Sequence, residues 1–157
     1  MKTIVDGLEI NYREEGEGSP VLLLHGWGCN GGHWDPVFEA LKENHRVVAP
    51  DIPGFGESEE PPNTWGTKEY ALFFEHFMRS LKIEQPVVIG HSNGGRIGIV
   101  LAAKGRAGKL ILADSAGIKP KRDIPYYAKI YSYKAMKKVL SLPGLSEKKA
   151  EILEKRR

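Results

Sequence analysis

Four short stretches of this chain are apolar without a break: Val21–Leu24, Val47–Ala49, Val87–Ile89 and Leu110–Ala113. A strand with one wet face alternates apolar and polar residues. An unbroken run instead suits a strand covered on both faces, as in a parallel sheet. Helical spacing fills the gaps between the runs. In "HWDPVFEALKEN", Trp34, Val37, Phe38 and Leu41 recur at helical intervals. In "KEYALFFEHFMRSLKI", Tyr70, Phe73, Phe74, Phe77, Met78 and Leu81 share one face, and Thr67 is placed to cap it. "GGRIGIVLAAK" reads as a helix of small residues, whose glycines cost propensity but permit close approach to a sheet. Ahead of all these, "KTIV" and "LEINYREE" alternate around Asp6-Gly7, a hairpin signal. The predicted class is therefore α/β: a mostly parallel sheet with an N-terminal antiparallel hairpin and helices on both faces.

Composition bounds the function. With 157 residues, 41% of them hydrophobic and 27% charged, the chain reads as one globular domain with a real core. Its single cysteine, Cys29, excludes an internal disulfide, and no His/Cys/Asp/Glu group has metal-ligand spacing. No apolar run approaches a membrane span, and the start "MKTIVDGLEINY" lacks the apolar core of a signal peptide, so a cytoplasmic location is expected. Charge is uneven. Residues 1–118 carry 11 Lys/Arg against 16 Asp/Glu, whereas residues 119–157 carry 12 against 4. The chain thus divides into a core over 1–118 and a basic helical segment over 119–157. A charge run of this kind is more often a solvated helix than a contact for nucleic acid, and no nucleic-acid partner is expected.

Three strand ends carry unusual residues: "HGWG" at 25–28, "DIPGFGES" at 51–58 and "GHSNGG" at 90–95. Gly-x-Ser-x-Gly after a buried strand reads in two ways. It is an ordinary glycine-rich connection, or it is a nucleophile elbow, a sharp strand-to-helix turn that holds the serine hydroxyl clear of the backbone. In parallel α/β sheets function collects at the carboxyl ends of the strands, and all three segments fall there.

Together, in this order, the three motifs resemble the α/β-hydrolase superfamily, in a serine-nucleophile, esterase-like member. The resemblance runs from residue 1 to about 120. It implies that Ser92 is the nucleophile, activated by a neighbouring base. It implies that the backbone N–H groups of Trp27 and Asn93 form the oxyanion hole. Gly90 and Gly94 give the elbow room, because a Cβ there would crowd the serine, and Gly95 lets the helix approach the sheet. His25 and His91 are implied to be structural or pocket-lining; His33, His45 and His76 read as surface or packing residues. Serine at 92 disfavours the related dehalogenase and epoxide-hydrolase reactions, which use a carboxylate. The implied reaction is acyl transfer to water from a small carboxylic ester or related acyl compound, with no cofactor. "GHSNGGR" lacks the ending of a phosphate loop.

The family's acid and histidine follow later strands, and no such strands are legible here. Residues 119–157 resemble the beginning of a helical cap, in which Tyr127, Tyr131, Ala135 and Val139 form a stripe expected to face the pocket or the core. A basic amphipathic membrane helix is the competing reading of that stretch. Asp114, at the end of the last strand, reads either as the triad acid or as a residue with a local role, capping or bonding in the loop with Ser115. The chain is expected to be the amino-terminal part of an enzyme. As a 157-residue polypeptide it is expected to turn over almost nothing, and to self-associate or pair with a missing C-terminal half. The alternative function is a non-catalytic ligand-binding or interaction module that retains the pocket.

Overall fold

In the computed structural model the described residues are 1–118 and 124–139. The elements run β1 (Lys2–Val5), β2 (Leu8–Glu15), β3 (Pro20–Leu24), α1 (Asp35–Leu41), β4 (Arg46–Pro50), α2 (Thr67–Ser80), β5 (Val87–His91), α3 (Asn93–Ala103), β6 (Lys109–Ala113) and α4 (Ile124–Val139). The sheet order is β1-β2-β4-β3-β5-β6. β1 and β2 pair antiparallel, as do β2 and β4. β4, β3, β5 and β6 are parallel to one another. Asp6 and Gly7 both take positive φ, 50° and 82°, which is the two-residue turn that matches strand twist.

The runs of β3, β4 and β5 do face two cores, whereas β6 has Ile111 exposed at its centre. Leu22 and Leu24 of β3 join one cluster with Val48, Val88 and the α2 residues Phe73, Phe74 and Phe77. Val21 and Leu23, pointing the other way, join Trp34, Phe38, Val47 and Ala49. Period-two geometry makes each alternate residue serve a different layer, so no position on β3 can be polar. Gly98 brings α3 onto the sheet: a Cβ there would lie 2.8 Å from the Leu110 side chain. Gly95 also lies on the sheet, as expected: a Cβ there would lie 3.1 Å from the Gly90 carbonyl oxygen of β5.

Some boundaries differ from the sequence reading. Gly31–Trp34 form a 3-10 turn capped by the Asn30 side chain, and α1 begins only at Asp35. Thr67 is the first residue of α2, not its cap. The cap is Gly66, whose N–H donates to the Glu69 carboxylate at 2.9 Å. A carboxylate three residues in satisfies an N–H the helix cannot. α2 closes with Lys82 at φ 53° and Ile83 N–H bonded to Met78 C=O at 2.8 Å, a Schellman end made without glycine.

The chain divides into two compact units, 1–118 and 119–157. Within the second, α4 carries Tyr127 stacked on Tyr131, ring centroids 6.4 Å apart. The side chain of Val139, the last position of the expected stripe, lies outside the described residues. Lys134 sits over the Tyr131 ring at 5.9 Å, a cation–π contact within the helix. Among the described residues no helix is long and apolar enough to cross a membrane.

Candidate active site

Three loops leave the carboxyl ends of β3, β4 and β5, and hydrogen bonds tie them together. The first anchor is His25, fully buried at the end of β3. Its Nε2 accepts from the Ile52 backbone N–H at 2.8 Å, which places the proton on Nδ1, beside the Gly26 carbonyl at 2.8 Å. Both ring nitrogens are spent. Burial is the largest influence on this imidazole and pushes its pKa below the ordinary value, against the Gly26 bond and the Asp51 charge. His25 is a neutral pin between loops, as the resemblance implied.

The second anchor is Asp51, to which the sequence reading gave no role. Its buried carboxylate accepts from Gly31 N–H at 2.6 Å, from the Asn11 side-chain amide at 2.9 Å and from Glu57 N–H at 2.9 Å. Ser58 Oγ donates to the Asp51 carbonyl at 2.8 Å. Asp51 therefore folds the 51–58 loop onto itself and fastens it to the turn after β3. Gly56, at φ 58°, is obligatory beside it, since a Cβ there would overlap the carboxylate. The signal available in the sequence was an acid closing an apolar run, followed by two glycines.

Ser92 stands between β5 and α3 with φ 48° and ψ −108°. Outside glycine this backbone region costs of order 1–3 kcal/mol and persists only where the surroundings enforce it. The enforcement is visible. A Cβ on Gly94 would lie 2.1 Å from the Leu24 carbonyl oxygen, and one on Gly90 would lie 2.6 Å from both Gly94 O and Gly95 Cα. The nearest atoms these glycines clear belong to β3 and the first turn of α3. A Cβ on Gly95 would meet Ser115 Oγ at 2.1 Å, so this glycine makes room for the loop after β6. Gly94 N–H donates to the His25 carbonyl at 3.1 Å, and Ala116 N–H donates to the Ser92 carbonyl at 3.1 Å. Serine at a helix start normally spends its hydroxyl on a capping bond; Ser92 makes none.

The loop after β3 lies against this elbow. A Cβ on Gly26 would sit 2.8 Å from His91 Nδ1 and 3.3 Å from Ser92 Cβ. The turn is closed by Cys29 N–H donating to Gly26 C=O at 3.2 Å, a bond that leaves the Trp27 N–H aside. Asn93 is the first residue of α3, and a first-turn N–H has no partner within its helix. His91 stacks on His33, centroids 5.1 Å apart, with its Nδ1 buried and unbonded. His76 pairs with Asp6 at 2.6 Å. No hydrogen bond joins Ser92 Oγ to a histidine among the described residues. Asp114 takes φ 42° and is exposed. The expected local bond between Asp114 and Ser115 is absent, because Ser115 Oγ donates to Ala116 C=O at 2.8 Å. Among the described residues no group of His, Cys, Asp and Glu has the arrangement to hold a metal ion.

A model of the α/β hydrolase fold family matches residues 19–134. The chain is 33% identical over 123 residues to the 2-hydroxymuconate semialdehyde hydrolase of Pseudomonas sp. (strain CF600), covering 73% of this chain and 43% of that protein. It is 32% identical over 105 residues to the soluble epoxide hydrolase of Corynebacterium sp. (strain C12), covering 67% of this chain and 37% of that one. Among solved structures, it resembles the meta-cleavage product hydrolase of Pseudomonas fluorescens IP01 with a TM-score of 0.71 and 30% identity, over 77% of this chain and 47% of that chain. The chain thus spans less than half the length of each of these relatives.

Proposed function

The chain belongs to the α/β hydrolase fold family, and on that premise we propose that it carries the nucleophile and oxyanion hole of a serine hydrolase acting through an acyl-enzyme on a small carboxylic ester or related acyl compound. Ser92 Oγ attacks the carbonyl carbon while a general base takes its proton. The oxyanion that forms accepts from the Trp27 and Asn93 backbone N–H groups. Each such donor, removed from a working site, costs about 3–4 kcal/mol of transition-state stabilisation. The base passes that proton to the leaving oxygen as collapse expels the alcohol and leaves the acyl group on Ser92; the base then takes a proton from water, which attacks the acyl carbon, and returns it to Ser92 Oγ as the carboxylic acid departs.

One observation carries this reading: a serine held at positive φ at a strand end, with its hydroxyl free of the capping bond that would otherwise explain it. The residue type separates the relatives. The soluble epoxide hydrolase opens an epoxide, and a serine at position 92 suits acyl chemistry better. The base is not His25, whose two nitrogens are engaged.

A fluorophosphonate probe tests the proposal on the full-length protein. Rapid labelling, lost in Ser92→Ala, is the expected result. A folded protein that resists the probe would instead be a binding module that keeps the pocket without turnover.

A further inference from the structure

Beside the same loops lies a cleft of about 470 Å³ that the bond chemistry leaves unused. Two aromatic pairs line it. Trp27 meets Phe55 edge to face, centroids 4.8 Å apart, and Trp65 meets Tyr70 at 5.3 Å. Pro61 and Pro62 add apolar surface. Glu60 is the one charged side chain in its described lining, and it is exposed.

The walls are set in advance. Phe55 rests edge-on against the buried His25 ring at 5.9 Å. Gly54 N–H donates to the Glu59 carbonyl at 2.9 Å, and Tyr70 OH donates to the Pro53 carbonyl at 3.3 Å. Trp65 packs on Phe73 of α2 at 5.5 Å. A ligand entering such a cleft spends little on ordering it. Trp27 nonetheless remains 69% exposed, a large indole held in water. It is also the residue after Gly26, which packs against Ser92. The cleft's Trp27 is therefore one residue along the chain from the glycine that lies beside Ser92.

We propose that this cleft receives an uncharged aromatic arm of the substrate. The inference rests on the acyl-transfer reading of Ser92. An aromatic ring finds edge and face partners here that an alkyl chain of equal size does not. An anionic arm meets no cation in the described lining and one carboxylate. A cationic arm gains little from Glu60, since water screens an exposed carboxylate.

The test uses Ser92→Ala in the 157-residue chain, so that binding is read without turnover. The chain has three tryptophans, hence three indole N–H signals in a nitrogen-15 spectrum. Benzyl alcohol is expected to shift the Trp27 and Trp65 signals saturably and to leave Trp34 unmoved. n-Heptanol, with the same carbon count, and benzoate are expected to bind more weakly. Phe55→Ala removes one ring and should weaken benzyl alcohol roughly two- to ten-fold. Thr64→Phe, at an exposed position on the cleft, fills the space without touching the core and should weaken it as well. The proposal is overturned by no saturable shift, by an equal response at Trp34, by n-heptanol binding as tightly, by benzyltrimethylammonium binding more tightly, or by indifference to Thr64→Phe in a protein whose backbone spectrum is unchanged. Fluorophosphonate labelling of the full-length protein separates the two ideas. Aromatic binding without labelling removes the acyl-transfer reading and keeps the cleft; labelling without aromatic binding does the reverse.

Discussion

Ser92 at φ 48° is a cost that the fold carries at one residue. Ser92→Gly removes the steric penalty, whereas Ser92→Ala keeps it. The glycine variant is therefore expected to unfold later in denaturant than the alanine variant, by about 1 kcal/mol after allowing for glycine's greater unfolded-state freedom. Gly94→Ala tests the enforcement rather than the strain. Its Cβ would overlap the Leu24 carbonyl, and a loss on the order of 3 kcal/mol or more is expected from backbone forced apart. His25 supplies a pH dependence with a definite sign. Burial depresses its folded pKa below the ordinary 6.5, with Asp51, His33 and His91 as charged or titratable neighbours. The unfolded chain then binds the extra proton first, so this contribution is complete above pH 6.5 and is lost as pH falls below it. The slope is at most about 1.4 kcal/mol per pH unit. Denaturant titrations at pH 7.5 and 5.5 should show a smaller difference for His25→Gln than for the parent.

At the scale of elements, the end of α2 offers a clean substitution. Lys82 takes φ 53° where the Schellman turn needs a left-handed residue. Lys82→Gly is expected to stabilise by about 0.5–1 kcal/mol, read as a rise in melting temperature; no gain would mean that the lysine stem packs usefully there. The elements themselves were largely legible. Uninterrupted apolar runs gave the buried strands, and the aromatic stripe Tyr70, Phe73, Phe74, Phe77 gave the buried face of α2. The caps were less legible. Thr67 is chemically the better cap, but Gly66 adopts the extended backbone and Glu69 supplies the acceptor. A cap depends on where the chain enters the helix, which a residue-type preference does not encode.

For the polypeptide as a whole, the strand order ends at β6 among the described residues. Ile111 at its centre is 44% exposed. A strand edge with free N–H and C=O groups and apolar side chains is a template for another strand. We expect the 157-residue polypeptide to self-associate at micromolar concentration, by light scattering after size-exclusion chromatography, and Ile111→Lys to shift it toward monomer. A stable monomer before mutation would refute this. The same polypeptide is expected to hydrolyse aryl esters barely above background, because no histidine is hydrogen-bonded to Ser92 among the described residues. Loss of that base from a serine triad costs about 10⁶-fold in turnover.

The sequence alone determined the layer plan and the position of the serine. Both are written in local periodicity: strands covered on two faces have no room for polar residues, and a strand-to-helix elbow needs small residues on either side. It also marked Gly90, Gly94 and Gly95 as necessary, and Gly95 does lie against Gly90 of β5, but Leu24 and Ser115 were not among the neighbours it named. What each glycine avoids is backbone or side chain from elsewhere, Leu24 for Gly94 and Ser115 for Gly95, and such contacts exist only once β3, β5 and β6 lie side by side. Asp51 is the sharper case. Its three donors come from residues 11, 31 and 57. No window of sequence holds them together, so only the tertiary structure could turn an acid at a strand end into the knot that fixes two loops beside Ser92.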